Sequence, residues 1–183
     1  MMPSIIFTIF LEGDRDSILF NHKIKREIES DYDIDVELVE YSQKDKKFVN
    51  TYIDTINRTP KTKKYILLAD IDKKATIKQK NRELLSVFDR LDETRIVIVC
   101  KEIEGWYLGG ISRDSACVLQ LDLNKFKNLD PNAVTKAQFQ KLKPNHIKKL
   151  RFFYITTAKM FDKNEASQRN TSFNTFTSVL TST

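Results

Sequence analysis

The stretch Lys64-Tyr65-Ile66-Leu67-Leu68-Ala69-Asp70-Ile71-Asp72 decides how the rest of the chain is read. Tyr65 to Ala69 is an unbroken apolar run, too short for a buried helix and suited to a strand covered on both faces. Such strands belong to parallel sheets. Two similar runs flank it. Upstream, Ile5 to Leu11 is rich in Ile and Phe and is broken by Glu12-Gly13-Asp14; downstream, Arg95 to Cys100 is followed at once by Lys101-Glu102-Ile103-Glu104-Gly105-Trp106. A weaker strand is expected at Asp35 to Tyr41, with Val36, Leu38 and Glu40 on one face.

Helical periods fill the gaps between these strands. Asp16 to Ser30 places Phe20, Ile24 and Ile28 at intervals of four. Asp45 to Arg58 aligns Phe48, Tyr52 and Ile56 and ends at Thr59-Pro60. Ile77 to Leu91 aligns Ile77, Leu84, Phe88 and Leu91. This alternation predicts an α/β fold with a mostly parallel four-stranded sheet flanked by helices.

The pattern changes after residue 111. Residues 112–144 are polar, contain Asp130-Pro131 and show no period, as in an insertion with short helices. Asn145 to Asp162 reads as a helix carrying Ile147, Leu150, Tyr154, Ala158 and Phe161. Lys163 to Thr171 reads as a loop, and Ser172 as the cap of a short C-terminal helix with Phe173, Phe176 and Leu180 inside. The expected organisation is an α/β core over residues 1–111, with residues 112–183 as an insertion and C-terminal helical extension packed on it. A chain of 183 residues suits one domain of this kind.

Hydrophobic residues make up 40% and charged residues 31%, which excludes a disordered chain. The net charge of +6 points to polyanionic partners, nucleic acid first among them. The two cysteines, Cys100 and Cys117, form no CxxC and no disulfide framework, so a reducing cytoplasm is expected. The N-terminal apolar run lacks a basic flank and is followed by acids, so it reads as a strand rather than a signal peptide. No apolar run approaches the roughly 18 residues of a membrane span. Oligomeric state is not encoded in any local pattern.

Three of the four strands end in carboxylates: Glu12, then Asp70 and Asp72, then Glu102 and Glu104. In open α/β sheets the ligand crevice lies at the carboxyl ends of the strands. Gathering acids there costs repulsion, and a divalent cation offsets it. Hard oxygen ligands suit Mg²⁺ or Mn²⁺. In extended chain, Asp70 and Asp72 project to the same side, with Ile71 turned inward. Asp14, Asp16 and Asp89 read as turn or helix-cap residues. His22 and His146 are isolated surface histidines, Cys100 a core residue, and Trp106 a packing anchor. Cys117 has no base partner. No GxxxxGK[ST] or GxGxxG motif is present. Most lysine clusters read as solvated helix faces. Lys73-Lys74, directly after the aspartates, is placed to meet a phosphate.

These residues resemble the Toprim domain of topoisomerases, primases, OLD-family nucleases and RloB-like proteins. The likeness is carried by Phe10-Leu11-Glu12-Gly13 and by Leu68-Ala69-Asp70-Ile71-Asp72. Glu102-Ile103-Glu104-Gly105-Trp106-Tyr107-Leu108 is similar to the segment "FExW-L" of small RloB-like proteins, which favours Glu104 over Glu102. The closing Arg169-Asn170-Thr171-Ser172-Phe173-Asn174-Thr175-Phe176 is similar to the "SFxxF" end of related chains. The resemblance implies Mg²⁺-dependent phosphodiester chemistry on nucleic acid. Glu12, Asp70, Asp72 and Glu104 would be its metal-binding and catalytic carboxylates; independently of the resemblance, Lys73 after the aspartates and Arg169 from the C-terminal loop are the basic side chains expected to meet the phosphate. The resemblance also implies a role in phage defence beside an ATPase partner. Neither a strand-passage tyrosine domain nor a primase zinc module is evident, which disfavours those two roles. The rival readings are a non-catalytic module that binds nucleic acid or a partner protein, a haloacid-dehalogenase-type phosphatase and a DxD nucleotide-sugar transferase. The phosphatase is disfavoured because a strand, a helix and a strand precede Asp70, and because Lys74 stands where that family has Thr or Val.

Overall fold

The computed structural model describes residues 5–72 and 76–182. Four strands, β1 (Ile6–Leu11), β2 (Asp35–Glu40), β3 (Lys63–Asp70) and β4 (Ile96–Val99), form one sheet in the order β2-β1-β3-β4. Every pairing is parallel, with Leu11 opposite Glu40, Phe10 opposite Leu67 and Asp70 opposite Val99. The expected α/β class is met. Because β2 lies on one side of β1 and β3 on the other, the chain reverses its winding between β1 and β3. The crevice of such a sheet opens at the carboxyl ends of those two strands.

The strands alternate strictly between two cores. Phe7, Ile9 and Leu11, with Ile66, Leu68, Val97 and Val99, face the larger one. Phe10, Tyr65, Leu67, Ala69, Ile96 and Ile98 face the smaller. The larger core is covered by α1 (Asp14–Leu19), which runs through a π-helical turn at Phe20–Ile24 into α2 (Lys25–Tyr32). Phe20, Ile24 and Ile28 are buried there, as their spacing predicts.

The smaller core is covered by α3 (Lys46–Asn57) and α4 (Ile77–Val87). Here the expected stripes shift. In α3 the buried residues are Val49, Ile53 and Ile56, while Phe48 is exposed and carries the Lys44 ammonium 5.6 Å from its ring centroid. In α4 only Leu84 of the expected apolar residues is buried within the helix, and Ile77 is exposed. Phe88 and Leu91 are buried beyond the helix end.

After β4 comes α5 (Glu104–Gly109), followed by three short helices, α6 (Arg113–Val118), α7 (Leu123–Lys127) and α8 (Lys136–Gln140), as expected for the insertion. The long helix expected over 145–162 is shorter. Pro144 opens a turn closed by the Ile147 N–H, and α9 spans Leu150–Lys159. The loop expected over 163–171 contains α10 (Lys163–Arg169), because Asp162 accepts from the N–H groups of Asn164 and Glu165. The last helix, α11 (Thr171–Thr181), is capped by Asn170 rather than Ser172.

This extension is part of the larger core. Trp106 is fully buried, packed edge-on against Phe173 and near Phe20 and Phe176. Its indole N–H donates to Ser172 Oγ at 2.9 Å, so the residue read as a cap instead satisfies a buried donor. Gly105 lets α5 approach the extension: a Cβ there would stand 2.3 Å from the Pro131 carbonyl oxygen. No helix among the described residues is long and apolar enough to cross a membrane.

Candidate acidic site at the carboxyl rim of the sheet

Strand alternation sets where the acids point. Asp70 has the parity of Ile66 and Leu68, which places it on the face covered by α1 and α5. Glu12 has the parity of Phe10 and turns to the opposite face, where Tyr41 packs. A hydrogen bond ties the two strands at the switch point: the Asp70 N–H donates to Glu12 Oε2 at 2.8 Å. Tyr41 lies in a short 3-10 turn after β2 and approaches the same oxygen at 3.5 Å. Ser42 Oγ donates to the Glu12 carbonyl and fixes the turn.

Two further carboxylates converge on Asp70 from the helical side. Glu104, in the first turn of α5, is 2% exposed. Its Oε1 accepts from the Tyr154 hydroxyl at 2.5 Å and lies 3.3 Å from Arg15 Nε. Arg15 in turn stacks over the Tyr154 ring, 5.5 Å from its centroid. Asp16 is 5% exposed. As the cap reading expects, its Oδ2 accepts from the Gly13 N–H at 3.2 Å. The same geometry sinks its carboxyl among the other acids, and sequence reasoning missed this second role. The signal was Ile18 and Leu19 directly after it, which turn this helix start toward the core.

Burial and mutual repulsion shift these groups. Burial pushes the Asp70 carboxyl up to about 9, with the charges of Asp16, Glu12, Glu104 and Asp72 adding to it in that order. Asp16 rises to about 7, again chiefly through burial, with Glu12 and Glu104 contributing. Glu12 and Glu104 are both raised by burial; hydrogen bonds to each oppose the rise. Asp70 Oδ1 is buried with no hydrogen-bond partner. An orphaned buried oxygen among carboxylates is a costly arrangement unless a proton or cation completes it.

Asp72 departs from expectation. The strand ends at Asp70, and Asp72 takes a left-handed backbone (φ 54°), so it does not continue the extended alternation. Its carboxylate is half exposed and accepts from Lys80 Nζ at 2.5 Å. Lys80 is itself buried on α4. Burial works to lower the Lys80 pKa, but the Asp72 hydrogen bond and the charges of Glu12 and Asp72 outweigh it, and the net shift is upward. Ile71 packs on the smaller core. Asp72 therefore lies at the edge of the cluster rather than beside Asp70.

The remaining expectations divide. Glu102 accepts from the Lys136 N–H and holds α8 to the core beside the cluster, where its charge acts on Glu104. Arg169 donates to the carbonyls of Gly109 and Ile111, at 3.3 and 2.6 Å, and covers the Phe126 ring. It is engaged within the extension. Lys73 and Lys74 lie outside the described residues. His22 and His146 are exposed, and Cys100 is half-buried just past β4, its Sγ 3.4 Å from Thr171 Oγ1.

All the donors at the rim are oxygens, and the orphaned Asp70 oxygen suits a hard cation such as Mg²⁺ or Mn²⁺. Among the described residues, no group of three or more His, Cys, Asp or Glu side chains stands ready to ligate one. Side chains would have to close on the ion. No family model matches the chain, and no curated protein or solved structure matches it either.

Proposed function

We propose that the protein is a divalent-metal-dependent nuclease of the Toprim type, acting on phosphodiester bonds of nucleic acid. The observation that carries this reading is the buried Asp70 carboxyl, tied to Glu12 through its own N–H, acted on by the charges of Asp16 and Glu104, and left with one oxygen that has no hydrogen-bond partner. Glu12 and Asp70 would hold the cation, with Asp16, Asp72 and Glu104 around them. The bound cation would supply Lewis-acid stabilisation of charge on the phosphoryl group.

The chain's own residues do the rest. Glu12, raised by burial and steadied by the Asp70 N–H, would either share the cation or instead accept a proton from an attacking water. Arg15 and Tyr154 hold Glu104 in one orientation. Lys80 brings a positive charge to the edge of the cluster, where it counters the charge of Glu12. The Toprim resemblance adds a place in phage defence beside an ATPase partner.

A second reading has its own support. Asp72 is paired with Lys80, Glu104 is paired with Arg15, and no ready ligand group is present among the described residues. A non-catalytic module that binds nucleic acid or a partner protein would need nothing more.

The deciding experiment offers plasmid, single-stranded DNA and RNA to the protein with Mg²⁺, Mn²⁺ or EDTA. The nuclease reading expects cutting that requires metal and disappears in both Glu12→Gln and Asp70→Ala. Equal cutting by Asp70→Ala would sink the assignment. Metal binding without cutting would favour the second reading.

A further inference from the structure

Positive charge is distributed very unevenly along the chain. Residues 112–151 contain nine Lys and Arg against three Asp and Glu, a net of +6, which equals the net charge of the whole protein. The remaining residues carry 22 of each sign. Arg113, Lys125, Lys127, Lys141, Lys148, Lys149 and Arg151 are exposed. This segment holds no part of the acidic cluster, and its cavity of about 470 Å³ is lined by Lys125 and Lys141 together with Leu129 and with Asp122, which pairs with Lys125.

The segment also adjoins the acidic rim. Glu102 holds the start of α8. Arg151 Nη1 pairs with Asp14 Oδ1 at 2.5 Å, two residues past Glu12. Three residues after Arg151, Tyr154 donates to Glu104. Between them stands Phe152, 55% exposed, with no ring or cation partner among the described residues. It comes directly after Lys148, Lys149 and Arg151. A bare aromatic ring beside a run of cations combines the two elements that hold unpaired bases and their phosphates.

We propose that residues 112–152 form the surface that captures single-stranded nucleic acid, with a base stacked on Phe152 and phosphates on Lys141, Lys148 and Lys149. A duplex keeps its bases stacked inside and gives Phe152 nothing to bind, so the ring selects single strands. This names the substrate class for the chemistry proposed above. Capture itself is independent of that chemistry; only the cutting of the captured strand rests on the nuclease reading.

The test is fluorescence anisotropy in EDTA, where no metal-dependent cutting occurs. The probes are labelled single-stranded DNA, single-stranded RNA and a DNA duplex, each long enough to cover a site of roughly 4–16 nucleotides. The triple variant Lys141→Gln, Lys148→Gln, Lys149→Gln should flatten the slope of log affinity against log salt by about 2, at about 0.7 for each phosphate no longer neutralised. A control with the same charge change elsewhere, Lys46→Gln, Lys47→Gln, Lys61→Gln, should keep the wild-type slope. Phe152→Ala should weaken single-strand binding about 5- to 100-fold. Phe152→Tyr should restore it, and duplex binding should change little. Equal losses in the two triple variants, or none in either, would overturn the assignment of the surface. Equal losses on duplex and single strand in Phe152→Ala would overturn the preference for single strands. Binding of the expected pattern without cutting in any metal would refute the nuclease and leave the surface standing.

Discussion

The acidic rim and the basic segment 112–151 carry charge in opposite ways. At the rim, five carboxylates influence one another across the ends of β1, β3 and α5, and two cations, Arg15 and Lys80, are paired with them. Asp16 and Glu104 are buried, and water cannot screen them. In the segment, six surplus positive charges are spread over exposed side chains. Charges buried together cost folding energy; the same number in water costs almost none. The rim therefore carries a cost in stability that the segment does not, and the segment is free to be basic.

The largest effect expected from this difference is at Asp70. Asp70→Asn should lower metal-dependent cleavage by about 10³-fold. The same change should raise the melting temperature of the metal-free protein by about 3–8 °C, because it removes a carboxyl that folding strains. A fall in melting temperature would break the comparison, since the rim would then not be under strain.

Next comes the dependence on pH. Asp70 and Asp16 have folded-state values of about 9 and about 7, above the ordinary aspartate value of 3.8. The folded protein therefore holds protons that the unfolded chain releases. Their contribution is fully present below pH 3.8 and is lost as pH rises toward about 7 for Asp16 and about 9 for Asp70. Thermal scans without metal should show stability falling across that window. In Asp70→Asn the part of the fall that extends beyond the Asp16 range should vanish.

Asp16 sharpens the comparison further. Asp16→Asn keeps an oxygen for the Gly13 N–H and removes a charge from the cluster. Cleavage should drop about 10- to 100-fold, as for a group that orients a ligand. Activity equal to wild type would confine Asp16 to its capping role. The smallest effect belongs to the basic segment. The triple Lys141, Lys148, Lys149 to Gln variant should leave the melting temperature within about 2 °C of wild type, since exposed substitutions seldom exceed about 0.5 kcal/mol.

Much of the architecture was legible in the chain. Strands buried on both faces announce themselves by unbroken apolar runs, and β1, β3 and β4 were found that way. Glu12 and Asp70 came from the rule that ligand crevices open at strand ends, which left Glu102 and Glu104 equal; the resemblance of residues 102–108 to a family segment favoured Glu104. Where two residues compete for one surface, the reading slipped. Phe48 and Val49 are adjacent apolar residues on α3, and periodicity alone does not say which one faces the sheet. Asp162 and Asn170 cap α10 and α11, but a polar run from 162 to 171 resembles a loop until its caps are seen to pair.

The sequence by itself determined the α/β class, the order of strands and helices, and the presence of acids at three strand ends. These are consequences of local periods and of where apolar runs stop. Tertiary structure alone decided which acids act on one another at the rim. It turned Asp72 outward to Lys80 through a left-handed residue, drew Asp16 inward with the start of α1, and brought Tyr154 from 50 residues away to hold Glu104. The reason is physical: a carboxylate's environment depends on the helices that pack over it, and those contacts are made between elements far apart in the chain.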